Sequence, residues 1–170
     1  MKKLLSILGA ITLVGTSTTS LVACNKPQYS EDELKKEKEK HKIDTKDQTI
    51  KNNLEWMASQ EKPFNTVDNK YYYVVWRGNK NDNWKITKFL NDTNNEKKID
   101  NYNKYSLIFK PSRFRYYTLL IKEGIINTTN TWYADNGSYF KSVFRWNLLD
   151  KASPDLIIDD KGNVKVINGE

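Results

Sequence analysis

From residue 64 onward, apolar and polar positions follow the pattern of short β-strands separated by turns. Residues 71–76 consist of tyrosine, valine and tryptophan, which favour strands, and residues 84–90 alternate between apolar and polar positions. The loop at 78–83 between them is rich in glycine, asparagine and aspartate. The pattern predicts strands at residues 71–76, 84–90, 105–110, 114–121, 125–133 and 138–148.

The segment 138–148 follows Asp135-Asn136-Gly137, which is a hairpin-turn signal. A regular strand would divide its side chains between two faces. One face would have Phe140, Phe144, Trp146 and Leu148, and the other Tyr139, Lys141, Arg145 and Asn147. The segment also fits a helix through Phe140, Phe144 and Leu148. We favour the strand because the turn signal comes directly before it.

An amphipathic helix is predicted ahead of the strands. Thr45 and Gln48 form a capping-box signal at its start, and Pro63 closes the region. Its apolar residues recur at i, i+4, i+7 and i+8, and they are Ile50, Leu54, Met57 and Ala58. We expect this apolar face to pack on the sheet; the alternative is a helix that binds a separate partner.

Residues 28–45 have the composition of a charged tether. Residues 28–46 contain six acidic residues and six lysines, and Ser30 with Glu33 is a capping-box signal. Leu34 and Ile43 are the only aliphatic residues, so a helix here would have no face to bury. We interpret the segment as a solvated, semi-rigid spacer. A coiled coil would need a repeating apolar seam, which this segment does not have.

The C-terminal residues 151–170 predict a hairpin or tail. Two short apolar runs flank an acidic turn that begins at Asp159. A calcium-loop interpretation fails because Lys161 stands where an oxygen ligand is needed and no glutamate follows at the required distance. The whole pattern predicts an α+β fold, in which one N-terminal amphipathic helix packs on an antiparallel, meander-like β-sheet and a charged helical tether precedes both.

The first 23 residues have the layout of a secretory signal peptide. Two lysines precede an apolar stretch at 4–14, and small residues follow it. Eleven helical residues rise about 16 Å, half of the ~30 Å hydrocarbon core of a membrane. Residues 21–24 are Leu21, Val22, Ala23 and Cys24. This run resembles the lipobox of bacterial lipoproteins.

The resemblance implies that residues 1–23 are removed and that Cys24, the chain's single cysteine, becomes a diacylglyceryl-modified N-terminus. Leu21, Val22 and Ala23 would then be the recognition residues of the signal peptidase. A thiol is the nucleophile that the thioether requires. The first 27 residues, together with an excess of asparagine and lysine, also resemble lipoproteins of wall-less bacteria, the Spiroplasma group in particular. This resemblance implies a location at the extracellular face of the cell membrane, and no activity.

The resulting domain organisation has four parts. Residues 1–23 are the cleaved signal peptide, 24–45 the lipidated N-terminus and tether, 46–150 the helix and β-rich domain, and 151–170 the C-terminal hairpin or tail. After removal of the signal peptide the chain has 26 basic and 21 acidic residues, a net charge of +5.

The excess of positive charge is densest between residues 97 and 115, where tyrosines and phenylalanines are interspersed. We therefore expect an anionic-ligand patch, for a glycan, a nucleic acid or a lipid headgroup, whose residues are Lys110, Arg113, Arg115 and Tyr116. The alternative is a solvated strand face in a lysine-rich protein. Trp132 with Tyr133, or residues 71–73, are candidates for a sugar-stacking platform, although aromatic residues in strands usually belong to the core.

Enzymatic motifs are missing from the sequence. It has no glycine-rich phosphate loop, GxSxG or HExxH motif, and its single histidine, His41, lies in the tether, where we expect nothing to orient it. We therefore predict a non-enzymatic interaction or adhesion module without a cofactor, displayed by a lipid anchor. The alternative is a lipid-anchored nuclease or glycosidase that uses carboxylates such as Asp135, Asp150, Asp155 and Asp159.

Overall fold

A computed structural model describes residues 28–110, 119–125 and 127–167. The helices are α1 (Glu31–Lys40) and α2 (Gln48–Asn53), and short 3₁₀ turns follow at Ser59–Glu61 and Pro63–Asn65. The strands are β1 (Leu54–Trp56), β2 (Tyr71–Trp76), β3 (Lys85–Leu90), β4 (Lys97–Tyr102), β5 (Tyr105–Phe109), β6 (Leu119–Glu123), β7 (Asn127–Thr131), β8 (Phe140–Trp146), β9 (Leu156–Ile158) and β10 (Val164–Val166).

Within the described residues, the strands form two four-stranded antiparallel sheets and a terminal hairpin. Sheet A has the order β1-β8-β2-β3, sheet B has the order β4-β5-β6-β7, and β9 pairs with β10. Sheet B is the predicted meander. Sheet A is not a meander, because β8 returns across the molecule and inserts between β1 and β2. The prediction of a single meander-like sheet is therefore wrong, although the β-rich antiparallel character is confirmed.

The inner core lies between the two sheets. Sheet A contributes Tyr72, Val74 and Trp76 from β2, and sheet B contributes Leu107 and Phe109 from β5. Further aromatic and aliphatic side chains fill the same layer; they are Met57, Phe64, Phe89, Tyr105, Leu119, Ile121, Trp132, Phe140 and Val143. Both sheets turn a continuous apolar face inward, so their burial stabilises the sandwich as one unit.

A hydrogen-bonded chain joins the sheets within this layer. The Trp76 indole N–H donates to the Thr87 hydroxyl at 3.0 Å, and the Thr87 hydroxyl donates to the Asp100 carboxylate at 2.5 Å. Trp76 and Thr87 belong to sheet A, whereas Asp100 lies on β4 of sheet B. The Trp76 indole and the Thr87 hydroxyl are buried, and these bonds satisfy both groups, which offsets the cost of removing them from water.

The outer core covers the opposite face of sheet A. Tyr73, Phe144 and Trp146 point to this side and meet Ile50 of α2 and Ile43. Leu156, Val164 and Val166 of the terminal hairpin pack against the same cluster. The predicted hairpin is confirmed, and sheet A is consequently covered on both faces.

The helix α2 is shorter than the segment over which the apolar residues follow a helical spacing. The helix begins at Asp47, whose carboxylate accepts from the N–H groups of Thr49 and Ile50, and it ends at Asn53. Residues from Leu54 onward form β1 and pair with β8. The prediction that Leu54, Met57 and Ala58 extend the helical face is wrong, because strand pairing with β8 overrides the helical spacing.

The segment 138–148 is a strand, as predicted, but its two faces differ from the prediction. Trp76 pairs with Phe140 whereas Val75 pairs with Ser142, so Lys141 is a bulge residue. One extra residue reverses the side-chain alternation. Phe140 therefore enters the inner core, while Phe144 and Trp146 enter the outer core.

In the described part of the chain, the other predicted strands match observed strands, but β4 was not predicted. β4 has the sequence KKIDNY and contains few strand-forming residues, so its pattern resembles a loop. Most of the predicted strand at 114–121 lies outside the described residues, and β6 begins at Leu119.

Candidate functional site

The charged tether folds back onto the domain, and we call its residues 28–43 the strap. Its first contact is a pair of hydrogen bonds: the Tyr29 N–H donates to the Gln60 side chain at 2.7 Å, and the Gln60 amide donates to the Tyr29 carbonyl at 2.8 Å. The predicted capping box is confirmed, since Ser30 and Glu33 bond reciprocally at the start of α1. These bonds fix where the chain enters the domain.

Lys38 is the second contact of the strap. Its ammonium lies 2.5 Å from carboxylate oxygens of both Glu55 and Glu61. α1 has no buried residue, so polar contacts and not apolar burial hold it. The prediction of a free, solvated spacer is therefore wrong: the sequence correctly indicates a helix without an apolar face, but one lysine suffices to pair it with two glutamates from the domain.

Glu55 is the centre of this ion network. In addition to Lys38, it accepts hydrogen bonds from Arg145 at 2.7 Å and from Asn147 at 3.1 Å. Burial would raise the pKa of the Glu55 carboxyl, but the hydrogen bonds from Lys38 and Asn147 and the charges of Lys38 and Arg145 outweigh burial and lower this pKa to about 2. Glu55 is therefore ionised at physiological pH.

His41 lies where the strap passes Trp56. The two rings are stacked, with centroids 4.4 Å apart and planes 12° apart. Nδ1 lies 2.8 Å from the Glu37 carbonyl oxygen. A carbonyl only accepts, so Nδ1 carries the proton in this bond. The expectation that nothing orients His41 is wrong.

A groove of about 270 Å³ opens beside this stack. Tyr29, His41 and Trp56 line one side of it. Inner-core side chains form its apolar part, and amides, hydroxyls and the Lys141 side chain supply its polar atoms; the further lining residues are Met57, Ala58, Ser59, Gln60, Trp132, Asn136, Gly137, Phe140, Lys141, Ser142 and Val143. The strap and the domain together make this groove.

The sequence reasoning missed the groove because its residues come from separate segments. The sequence contained one signal: Tyr29 and His41 are the only aromatic rings in a mostly charged segment. Rings in such a segment indicate a contact that the tether makes, because solvated spacers do not need them.

The predicted anionic-ligand patch is described only in part. Lys110 is exposed and lies 3.1 Å from Glu96, which also pairs with Lys122 at 2.8 Å. Both lysines lower the pKa of the Glu96 carboxyl, mainly through their hydrogen bonds. Arg113, Arg115 and Tyr116 lie outside the described residues, in the connection between β5 and β6.

The aromatic residues proposed as a sugar-stacking platform are mostly core residues. Tyr72, Tyr73 and Trp132 are buried. The Tyr72 hydroxyl donates to Asp68 at 2.7 Å, and the Tyr73 hydroxyl donates to the Pro154 carbonyl at 2.5 Å. Tyr71 is exposed at the start of β2. The platform interpretation is therefore wrong for the three buried residues.

Two of the carboxylates considered for catalysis stabilise turns. Asp135 is buried and accepts from the backbone N–H groups of Gly137 at 2.8 Å and Phe140 at 3.0 Å. Asp159 accepts from the N–H groups of Lys161 and Asn163, both at 2.9 Å, which explains the acidic turn of the hairpin. Across residues 28–110, 119–125 and 127–167, no group of three or more histidine, cysteine, aspartate or glutamate side chains is arranged to hold a metal ion.

The lipobox residues Leu21, Val22, Ala23 and Cys24 lie outside the described part of the chain. Within that part, no helix has both the length and the apolar character needed to cross a membrane. No protein-family model, curated protein or solved structure matches this chain. Function is therefore inferred from the chain's own residues.

Proposed function

We propose that this chain is a lipid-anchored surface lipoprotein of the extracellular face, and that its β-sandwich is a non-enzymatic interaction module. One observation carries the proposal: the chain enters the folded domain at Tyr29, only five residues after the lipobox cysteine. A folded, hydrogen-bonded domain that begins so close to Cys24 is suited to display on an anchor at that residue.

The energetics of anchoring support this proposal. One acyl chain gives marginal, reversible membrane binding, whereas two chains give a stable anchor, at about 0.8 kcal/mol for each buried methylene. A diacylglyceryl group on Cys24 supplies two chains. The domain then needs no membrane-spanning element of its own.

For the ligand we propose an anionic extracellular molecule that binds the connection between β5 and β6. Lys110, at the base of this connection, and Lys122 of β6 share Glu96 as their acidic partner. The two lysines and one glutamate leave a net positive charge. Arg113 and Arg115 follow Lys110 closely in the sequence. Guanidinium groups next to aromatic residues favour phosphate, sulfate or carboxylate groups.

The anchor is tested with Cys24→Ser in the full chain. We expect this variant to lose metabolic labelling with a fatty acid and to leave the membrane fraction, because no other thiol can accept the diacylglyceryl group. Gln28→Ser, at an exposed position just after the anchor, is the control and should keep both properties. Unchanged labelling of Cys24→Ser would contradict the proposal.

The ligand site is tested on the lipidated protein in detergent micelles. Sulfated polysaccharide, single-stranded DNA and inositol phosphate serve as probes of anionic chemistry. We expect Arg113→Ala/Arg115→Ala to weaken binding at least about tenfold and to reduce its salt dependence. Lys35→Ala/Lys36→Ala removes the same charge from exposed positions of α1 and should bind as the unmodified chain does. Equal losses in the two variants would show that only net charge matters.

A further inference from the structure

We infer that the strap holds one particular face of the domain, the face with the groove, against the bilayer that carries the anchor. The partner of this surface is the phospholipid headgroup layer of the same membrane. The inference rests on the proposed lipid anchor at Cys24, and it adds an orientation that the anchor alone does not specify.

The length of chain between the anchor and the strap limits the orientation. Tyr29 follows Cys24 by five positions, and even a fully extended chain spans at most about 3.6 Å per position, or about 18 Å in total. The two hydrogen bonds between Tyr29 and Gln60 fix the end of this linker on the domain surface. The lipid therefore stays within about 18 Å of Tyr29, whatever path the linker takes.

The size of the molecule decides which faces can reach the membrane. A compact domain of about 140 residues has a radius of gyration of about 14 Å and hence a diameter of about 37 Å. The linker is half as long as this diameter. Surfaces around Tyr29 can reach the headgroups, and the far side of the domain cannot.

The docked strap is what makes the linker short. With the strap released, the flexible connection would run from Cys24 to Ile43, which is buried in the outer core. Ten helical residues and nine extended ones would then span about 45 Å. That length exceeds the diameter of the domain, so a released strap would permit any orientation.

The chemistry of the groove face suits the headgroup layer. Tyr29 and Trp56 lie edge to face, with centroids 6.4 Å apart, and His41 is stacked on Trp56. Rings with an apolar body and a polar atom favour the boundary between water and lipid. Residues 28–46 have equal numbers of acidic residues and lysines, so the strap adds no net charge to this face, and Lys141 is the lysine that lines the groove.

The orientation is tested with the lipidated full chain in phosphatidylcholine vesicles. The native cysteine is blocked by its thioether, so a fluorophore can be attached to an introduced thiol at Asn136→Cys on the groove or at Lys98→Cys, an exposed position of β4. β4 is three strands, about 14 Å, from β7, which directly precedes the groove residue Trp132, and β4 contacts β3, the strand of sheet A farthest from β1. We expect a nitroxide at the lipid headgroup to quench the label at residue 136 several-fold more strongly than the label at residue 98.

Equal quenching at the two positions, or stronger quenching at residue 98, would overturn the inference; either result would leave the groove to a soluble partner. Flotation of each sample with the vesicles keeps the two proposals apart. A sample that does not float shows that the anchor has failed. A sample that floats and is quenched equally at both positions shows that the orientation is wrong.

Lys38→Glu provides a second test of the role of the strap. This substitution places a third carboxylate beside Glu55 and Glu61 and should release α1. We expect the protein to keep floating and its circular dichroism to retain the β-sheet signal, while the difference in quenching between residues 136 and 98 disappears. A difference that persists would show that Lys38 does not hold the strap.

Discussion

At the scale of single residues, Glu55 joins three separate segments of the described chain. Its carboxylate contacts Lys38 of the strap and both Arg145 and Asn147 at the end of β8. These partners are 17, 90 and 92 residues away in the sequence. Strand pairing sets their proximity, since Glu55 lies directly opposite Arg145 in sheet A.

This network predicts a loss of stability in acid. The folded-state pKa of Glu55 is about 2, below its ordinary value of 4.5, so the ionised carboxylate stabilises the fold above about pH 4.5. The contribution disappears as the pH falls toward 2. The shift corresponds to about 3 kcal/mol, and we expect about 2 kcal/mol because about a quarter of the side chain remains in contact with solvent.

Urea unfolding of the unmodified chain and of Glu55→Gln between pH 2 and pH 7 measures the contribution of ionised Glu55 to the free energy of unfolding. The two stability curves should converge as the pH falls from 4.5 to 2. Glu39→Gln changes an exposed position of α1, and its stability curve should run parallel to that of the unmodified chain. Parallel curves for Glu55→Gln would show that the ion network contributes nothing to stability.

Gly78 is a second residue whose role depends on a close contact. A Cβ atom at this position would lie 2.2 Å from the ring of Tyr105. We expect Gly78→Ala to lower the free energy of unfolding by about 1–3 kcal/mol, because β5 or the loop after β2 must shift.

Gly124→Ala is the matched control for Gly78→Ala. Gly124 has a φ of +64° and no atom within 4 Å of its Cβ position, so only backbone strain of about 1 kcal/mol applies. Urea unfolding measures both variants. A loss of stability close to zero in Gly78→Ala would show that the contact with Tyr105 relaxes at no cost.

Among the elements, β8 is the strand on which the fold depends most. It pairs with β1 on one side and β2 on the other, and its bulge at Lys141 sends neighbouring aromatic residues to different cores. The Asp135 turn sets where β8 begins, because its carboxylate binds the N–H groups of Gly137, Tyr139 and Phe140. The turn therefore determines which side chains face which core.

Asp135→Ala should consequently lower the free energy of unfolding by about 2–3 kcal/mol, since hydrogen bonds to a buried charge are worth more than neutral ones. Asp150→Ala removes an exposed carboxylate from the loop after β8 and should change stability by less than about 0.5 kcal/mol. Thermal unfolding measured by calorimetry compares the two. A loss of stability in Asp150→Ala as large as that in Asp135→Ala would contradict this role of the turn.

For the whole molecule, the feature that matters most is that sheet A is covered on both faces. Sheet B covers the inner core, and α2 with the terminal hairpin covers the outer core. The hairpin is therefore part of the packing of sheet A. Leu156 and Val166 are directly opposite each other in the hairpin and face sheet A, whereas Ile157 and Ile167 are exposed.

Leu156→Ala/Val166→Ala should thus destabilise the whole domain by about 2–3 kcal/mol, because both side chains pack on the outer core. Ile157→Ala/Ile167→Ala removes comparable side chains from the solvent face and should cost less than about 1 kcal/mol. Equilibrium unfolding followed by tryptophan fluorescence measures both variants. Equal costs would show that the hairpin does not contribute to the core.

The sequence by itself determined the local features of this protein. Strand-forming runs identified β2, β3, β5 and β8, and the capping signal at Ser30 identified the start of α1. The lipobox at Cys24 stays a prediction. These features depend on neighbouring residues, whose propensities and hydrogen bonds act within a few positions of one another.

Only the tertiary structure decided the features that depend on distant partners. Pairing with β8 turned Leu54 from a helical position into a strand position, and one bulge residue reassigned the aromatic residues of β8 to two cores. The ion pairs of Lys38 with Glu55 and Glu61 attach α1 to the domain, although α1 has no buried apolar face. Pairing register, bulges and ion pairs are set by residues far apart in the sequence, so periodicity within one segment does not contain them.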